Sequence, residues 1–596
     1  MFHEYEKRLL MGPELDNEQR IAVMAPSPTL VNASAGSGKT RCLIVKILRL
    51  IASGINPASI CAITFTNKAA NEMKERLKSQ YNKPIKDIQV STIHSLCVRI
   101  MKDFIQYTPL NLPFSIYDES DQLSIVKTII KSRGYNGEPR DYIRTISNIK
   151  SICTSEREEE IKEAFRNGDN DLDEFKFLKL YKTYQEILFK NNACDFDDLL
   201  IYANVCLKHD ECSDYFSDLW HHILVDEFQD TSVIQYKIIN QLYNSKKTET
   251  LFVVGDFNQS VYGWRGANPE NINDFIKTYE PTVCNLSYNY RSGSSIINHA
   301  NRFLQYGAPM VSKSAMAGQV SFTRFNSQEE EAEKIADALL RKRDFQNTAI
   351  LFRVNTRSLL FERAFARKRI PYKVIGIPYY KRKVSKDLLS FCKAAVNHSD
   401  LESLVRIINV PKRGFGEQKQ ERLLHKGWPY LEKMAQEMPK IQSFIYLLDE
   451  IKSMSPYDAI NEILYRTEYR GTLKRDSDHT MLTSLIDVAS GYKTIEELVL
   501  ASTFLEEDSG YGVKLLTAHA SKGLEFDTVL VVGLEDGIWP HRFSMDKKEE
   551  ERLFYVACTR AKNFLNISYA KSRLFRGHSI DNNPSTLFLN SFKNFK

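Results

Sequence analysis

The chain has no apolar stretch approaching the roughly 20 residues that a membrane-spanning helix needs. Its opening, MFHEYEKRLLMGPELDNEQR, lacks both the apolar core and the small-residue cleavage pattern of a secretory leader. A membrane anchor is therefore not expected, and the cytoplasm is the expected compartment. None of the ten cysteines forms a CxxC pair, so they read as reduced, mostly buried thiols. No charge of one sign dominates: 81 basic against 75 acidic residues leave a net charge of +6, which permits a nucleic-acid partner without indicating one. No internal repeat is visible. What is present is the composition of a folded protein, 43% hydrophobic and 26% charged over 596 residues, enough for roughly three to five packed units.

Strand and helix patterns alternate from the start. TLVNAS (29–34), SICAITF (59–65) and DIQVSTI (87–93) read as strands, with the helical stretches TRCLIVKILRLIAS and NKAANEMKERLKS between them. That is the opening of a parallel α/β sheet covered by helices. The vocabulary becomes helical and mixed in charge from 101 to 192 and returns to strands at HHILVDEFQD and TLFVVGDFNQ. The expected organisation is a first α/β domain (1–100 and 193–280) with a helical insertion (101–192), then a second (281–384 and 506–575) with its own helical insertion (385–505), and a short tail at 576–596.

ASAGSGKT (33–40) follows a strand and precedes a helix, which is the setting of a phosphate-binding loop, although Ala33 stands where the first glycine is usual. Gly36 and Gly38 let successive N–H groups turn toward phosphate, with Ala35, Ser37 and Arg41 alongside. Lys39 would reach the β- and γ-phosphates, and the Thr40 hydroxyl would ligate Mg²⁺. In ILVDEFQD, Asp226 ends a strand and is placed to hold Mg²⁺, while Glu227 is a general-base candidate. Gln229, Asp256 and Gln259 follow on neighbouring strand ends, and Arg291 and Arg560 are candidates for neutralising a γ-phosphate. Both arginines fall in the expected second α/β domain, so closure of two domains would complete the site.

Phe65, His94, Tyr262 and Trp264 lie just beyond strands, beside Thr, Ser, Asn and Lys. Core aromatics belong inside strands, whereas aromatic faces at strand ends can stack bases and small polar groups can contact phosphates. Basic runs at 341–343, 366–369 and 381–386 could line a phosphate track.

Taken together, these segments resemble the UvrD/Rep/PcrA type of superfamily 1 DNA helicases from about Leu15 to Leu565. LDNEQRIAV resembles the adenine-recognising glutamine motif, implying a base contact for Gln19 and a supporting one for Arg20. TFTNKAA, TIHSLCVR, FDDLL, LVDEFQDT and VVGDFNQSVYGWRGA resemble the motifs that contact DNA, hold Mg²⁺ and couple the two, with Arg265 facing nucleotide. LSYNYRS implies adenine stacking by Tyr290 and a γ-phosphate contact by Arg291. LLTAHASKGLEFDTVLVVG implies DNA or phosphate contacts for His519 and Lys522 and a ribose contact for Glu525, and EEERLFYVACTRAKNFL makes Arg560 the arginine finger. The pattern departs at Ala520, at DFN (256–258) and at Gly376–Ile377, where a lysine, further acids and a second glycine are usual. VPKRGFG (410–416) resembles a duplex-contacting loop.

The resemblance implies two RecA-like domains, ATP and Mg²⁺ as cofactors, and an ATP-dependent helicase moving 3′ to 5′ on single-stranded DNA. Its partners would be single-stranded DNA, single-strand/duplex junctions and repair or replication proteins, with the helicase acting as a monomer or a weak or DNA-induced dimer. Two alternatives stay open: a translocase that mainly displaces bound proteins, and an RNA-directed helicase of the same superfamily.

Overall fold

The computed structural model describes residues 15–80, 87–153, 157–168, 172–243, 247–263, 266–375, 382–473, 476–490, 492–504, 511–542, 544, 546–575 and 578–592. It divides into two compact units, Met1–Ala315 and Met316–Lys596. Among the described residues no helix is long and apolar enough to cross a membrane.

The first unit begins with helix α1 (Asn17–Met24), strand β1 (Thr29–Ala33), helix α2 (Lys39–Ala52), β2 (Ile60–Thr64), α3 (Asn67–Gln80), β3 (Gln89–Thr92) and α4 (Ile93–Asp103). The short strands β4 (Ser115–Tyr117) and β5 (Ala193–Asp195) flank a helical insertion, and β6 (His222–Val225), β7 (Thr250–Gly255) and β8 (Thr282–Leu286) complete the main sheet. Its order is β3-β2-β6-β7-β1-β8, with every pairing parallel. The alternation of strand side chains buries both faces. Leu30, Cys61, Ile63, Ile223, Val225, Leu251 and Val253 pack on the α4 side, and Val31, Ala62, Leu224, Phe252 and Val254 on the α2 and α3 side. Such strands read as continuous apolar runs, and the polar residues that end them fall together at the carboxyl edge.

Among the described residues the insertion has four helices, Glu119–Arg133, Pro139–Ile152, Glu158–Asn167 and Glu174–Lys190, with a core of its own around Val126, Ile146, Phe177 and Tyr184. Its base is closed by β4 pairing with β5 in a two-stranded sheet separate from the main one, and by a buried cation. Lys150 Nζ lies 2.7 Å from Asp195 Oδ2 and 2.5 Å from Asp198 Oδ1, and the Tyr184 hydroxyl donates to Asp195 at 2.9 Å. Burial opposes the charge on Lys150, but the two carboxylates prevail and hold its ammonium well above the usual lysine range.

Two expected boundaries are corrected. Residues 281–315 do not open the second domain: β8 runs parallel to β1 from Thr282 to Leu286, buries Cys284 and Leu286 in the first core, and continues into β9 (Tyr288–Asn289), which pairs with β10 (Val311–Ser312). Only two of the five β8 side chains are buried, so its apolar signal in sequence is weak. The second correction concerns the tail, whose described residues, 578–592, are folded.

The second unit carries β11 (Gln319–Ser327), β12 (Thr348–Phe352), β13 (Tyr372–Val374), β14 (Val513–Thr517), β15 (Phe526–Val531), β16 (Ala561–Phe575) and β17 (His578–Asp581). Its parallel order is β11-β16-β15-β12-β14-β13, and β17 adds antiparallel to β16. Helix Thr586–Phe592 then packs Leu587 and Phe588 inward, with Phe588 edge-on to Tyr569 at 4.7 Å and to Phe322 at 6.0 Å. One apolar face on a seven-residue helix is too short a pattern to separate from a polar tail. Helices from Lys383 to Phe504 form the second insertion around Leu388, Phe391, Phe415, Phe444 and Ile460. Both units are thus RecA-like parallel-sheet domains interrupted by helices.

Candidate nucleotide site and nucleic-acid groove

Ala33, where a glycine is usual, is the fully buried last residue of β1 and has no positive φ, so its Cβ is accommodated. Gly36 and Gly38 do adopt left-handed backbone, with φ of +66° and +86°. They are also closely approached. A Cβ on Gly36 would stand 2.7 Å from Asn289 Nδ2 and 2.9 Å from Arg291 Cβ, and one on Gly38 would stand 2.8 Å from Gln19 Nε2. The neighbours brace the loop by hydrogen bonds to its carbonyls: Gln19 Nε2 donates to Ser37 O at 2.7 Å, Asn289 Nδ2 to Ala35 O at 2.6 Å, and Tyr290 N–H to Gly36 O at 3.0 Å. With these carbonyls held outward, the N–H groups are left to face an anion at the amino end of α2. Asn289, fully buried, was not among the candidates; its signal was its place between Tyr288 and Tyr290 in SYNYRS.

The acids lie on the ends of β6 and β7. Asp226 Oδ2 is 3.5 Å from the Thr40 hydroxyl, and Lys39 Nζ is 3.8 Å from Asp256 Oδ2. Glu227 holds a left-handed backbone at φ +52°, strained for a non-glycine residue and of a kind found at functional sites. Gln229 joins the two strand ends: its Nε2 donates to Glu227 Oε2 at 2.5 Å, and its Oε1 accepts from Asp256 N–H at 2.9 Å. Gln259 Nε2 donates to Asp256 Oδ2 at 2.7 Å. Asn258, at one of the DFN positions where the resemblance implies further acids, donates to Tyr306 O and accepts from the N–H groups of Gln305 and Tyr306, a donor role that a carboxylate lacks.

Burial, then the neighbouring Glu227, pushes the Asp226 carboxyl up to about 7. Burial likewise raises Asp256, with Lys39 opposing it. A site of hard oxygens whose buried carboxylate is only partly offset by Lys39 suits Mg²⁺. Among the described residues no cluster of three or more metal-ligating side chains exists, so a metal there would rely on Thr40, Asp226 and substrate phosphates. Because the folded protein holds the Asp226 proton more tightly than the unfolded chain, the stability cost of Asp226 is absent below about pH 4, grows as pH rises from about 4 to about 7, and is complete above that. Asp226→Asn is therefore expected to raise the melting temperature of the ligand-free protein at pH 8. That gain should shrink as pH falls from 7 toward 4, read by calorimetry in chelator; a pH-independent gain would contradict the shift.

Several candidates on the nucleotide side gather around α1. The Tyr290 hydroxyl donates to Asp16 Oδ2 at 2.5 Å, while Glu18 accepts from the N–H and hydroxyl of Ser287, both at 2.6 Å. Arg20 instead donates to Leu15 O at 3.1 Å, just before its own helix, and Arg41 is exposed on the first turn of α2. Arg291 corrects an expectation: it belongs to the first unit, beside Gly36, so no approach of a second domain is required to bring it to the loop. Arg560, His519, Lys522 and Glu525 belong to the second unit. There Arg560 is buried, its guanidinium donating to Val556 O at 2.9 Å and Leu524 O at 3.3 Å, and Glu525 pairs with Lys562 at 2.8 Å. His519 begins the turn that follows β14. In the 366–369 basic run, Arg367 pairs with Glu333 and Lys368 with Asp337, so those two charges are engaged in ion pairs.

Phe65, directly after β2, and Tyr262, in the segment that follows β7, stack at 5.6 Å with 14° between their planes. They line a groove of about 790 Å³ between the main sheet of the first unit and the insertion, shared with His94, Phe196, Arg140 and Arg144. His94 meets Phe196 edge-on at 6.2 Å, and burial lowers its pKa, so it offers a neutral imidazole. The carboxyl of Asp197, on the same groove, is pushed up to about 6 by burial and by Asp195. Trp264, Arg265, Gly376 and Ile377 lie outside the described residues.

A sequence model of the UvrD/REP helicase N-terminal domain matches residues 15–280, and one of the UvrD-like helicase C-terminal domain matches 284–453 and 432–572. The ATP-dependent DNA helicase PcrA of Staphylococcus epidermidis is 34% identical over an alignment of 629 positions, which covers 96% of this chain and 85% of that protein. The PcrA helicase of Staphylococcus aureus is 33% identical with the same coverage.

Proposed function

Since the chain belongs to the UvrD/REP helicase family, we propose that it is an ATP-dependent DNA helicase that translocates 3′ to 5′ on single-stranded DNA and unwinds duplex. The observation that carries the proposal is the short segment beyond β7. Asp256 and Gln259 belong to the network beneath the phosphate loop, and Tyr262, three residues on, stacks with Phe65 in the groove. A change at the triphosphate therefore has a covalently short route to a base-stacking face.

In this reading the loop N–H groups and Lys39 hold the phosphates, Gln19 reads the adenine edge, and Tyr290 stacks on the base, with Arg20, Arg41 and Glu525 in support. Thr40 and Asp226 would hold Mg²⁺, which would offset phosphate charge. Glu227 takes a proton from the attacking water. Gln259, Arg291 and Arg560 balance charge on the departing γ-phosphate. Phe65, His94, Tyr262, Trp264 and His519 hold the strand, and alternate tightening of the two units' grips moves it.

The test is steady-state ATP hydrolysis with and without single-stranded oligonucleotide. Turnover is expected to rise strongly with DNA, and Phe65→Ala is expected to weaken the apparent DNA affinity about tenfold, since a base–aromatic stack contributes about 1–3 kcal/mol. Turnover indifferent to oligonucleotide would defeat the motor proposal, and equal stimulation by matched RNA would defeat DNA specificity. Tailed duplexes with 3′ or 5′ overhangs then read polarity.

A further inference from the structure

Lys46 lies on α2, about two turns beyond the phosphate loop, and is buried at 8% exposure. Among the described residues it pairs with no carboxylate. Its hydrogen-bond acceptors are Val23 O at 3.0 Å and Ala25 O at 3.1 Å, the last carbonyls of α1, and its ammonium sits 5.3 Å from the centre of the Phe252 ring. Arg49, one turn on, also donates to Val23 O at 3.4 Å. A buried ammonium without a counter-ion is unfavourable, and burial lowers its pKa to about 8. Its compensation is the carboxyl end of a helix, where carbonyls lack partners and the dipole favours a cation.

That helix has eight residues, too few to be stable unaided, so its position depends on what it docks against. Near its other end, Gln19 Nε2 meets the phosphate loop at Ser37 O, and the capping residue Asp16 receives the Tyr290 hydroxyl. We infer that Lys46 is a positioning residue for base selection: by tying the carboxyl end of α1 to the phosphate-loop helix, it fixes where Gln19 meets the nucleobase. This rests on the proposed role of Gln19 as the adenine contact.

The experiment compares the full chain with Lys46→Met, Lys46→Gln and Gln19→Ala, measuring kcat and KM for ATP and UTP with saturating oligonucleotide. Lys46→Met is expected to raise KM for ATP about tenfold with kcat within about twofold, and to cut the preference for ATP over UTP by a similar factor. Lys46→Gln keeps amide donors without a buried charge, so it remains informative if the methionine variant does not fold, and it should give an intermediate loss. Unchanged base preference in the folded Lys46 variants, beside a collapse in Gln19→Ala, overturns the role of Lys46 alone. A fall in kcat with preference intact reduces Lys46 to a structural residue and also overturns it. Unchanged preference in Gln19→Ala overturns the Gln19 reading on which the inference stands.

Discussion

Glu227→Gln is expected to lower ATP turnover by about three orders of magnitude while ATP binding stays within a few-fold of the parent, because a positioned general base contributes about 10²–10⁴-fold. The substitution preserves shape. Its amide oxygen can still accept from Gln229 Nε2, and the left-handed backbone at 227 is the same for both residues. What is lost is the ability to take a proton. The metal site should not suffer, since Glu227 is one of the two largest influences raising the Asp226 carboxyl, and its neutralisation makes Asp226 easier to ionise. Single-turnover hydrolysis beside fluorescent-nucleotide binding separates the two effects. Near-normal turnover would remove Glu227 from the base role, and lost binding would mean that its charge had been structural.

Much of this site was legible because a parallel sheet buried on both faces collects its polar strand-end residues at one edge. ASAGSGKT, LVDEFQD and VVGDFNQ each pair an apolar strand signal with small, acidic or amide residues at or just past the strand's carboxyl end. The stacked Phe65 and Tyr262 were legible for the complementary reason, as aromatics just past strands rather than within them. What escaped was set by partners distant in sequence. Asn289 and Lys46 look like an ordinary loop amide and an ordinary helix lysine until the fold brings them to the carbonyls of Ala35 and of Val23 and Ala25. The ownership of β8 escaped because edge strands bury few side chains and pairing cannot be read from composition.

The placement of β8 also changes the account of how the site is completed. With Asn289, Tyr290 and Arg291 already against the loop, the first unit carries the candidate phosphate cradle, the candidate acids, the residues proposed for the adenine side and one of the two candidate arginines within a single fold. In the proposed mechanism, only Arg560 and Glu525 among the nucleotide-contacting candidates come from the second unit. That division assigns binding chiefly to the first unit and leaves the second to contribute to turnover. Arg560→Ala is accordingly expected to depress kcat far more than ATP affinity, whereas changes at Gln19 or Tyr290 act on KM.

Lys39→Ala should abolish measurable turnover by a different route, weakening both nucleotide binding and charge stabilisation, with a loss of at least about 10²–10³-fold in rate. It should also be felt in the empty protein. Asp256 is fully buried, and Lys39, 3.8 Å away, is the cation that opposes the effect of burial on its carboxyl. Removing that cation leaves Asp256 with Gln259 and backbone donors but no positive charge, at an expected cost of about 1–2 kcal/mol. Asp256→Asn in the Lys39→Ala background should recover most of that loss, while Asp256→Asn alone, which strands the lysine less deeply, should cost little. Thermal melting of the four proteins forms a double-mutant cycle, and a coupling energy near zero would show that Lys39 and Asp256 do not sense one another before nucleotide arrives. Recovery of stability without recovery of turnover would separate the two duties of Lys39, screening a buried carboxylate in the empty site and gripping phosphate in the filled one.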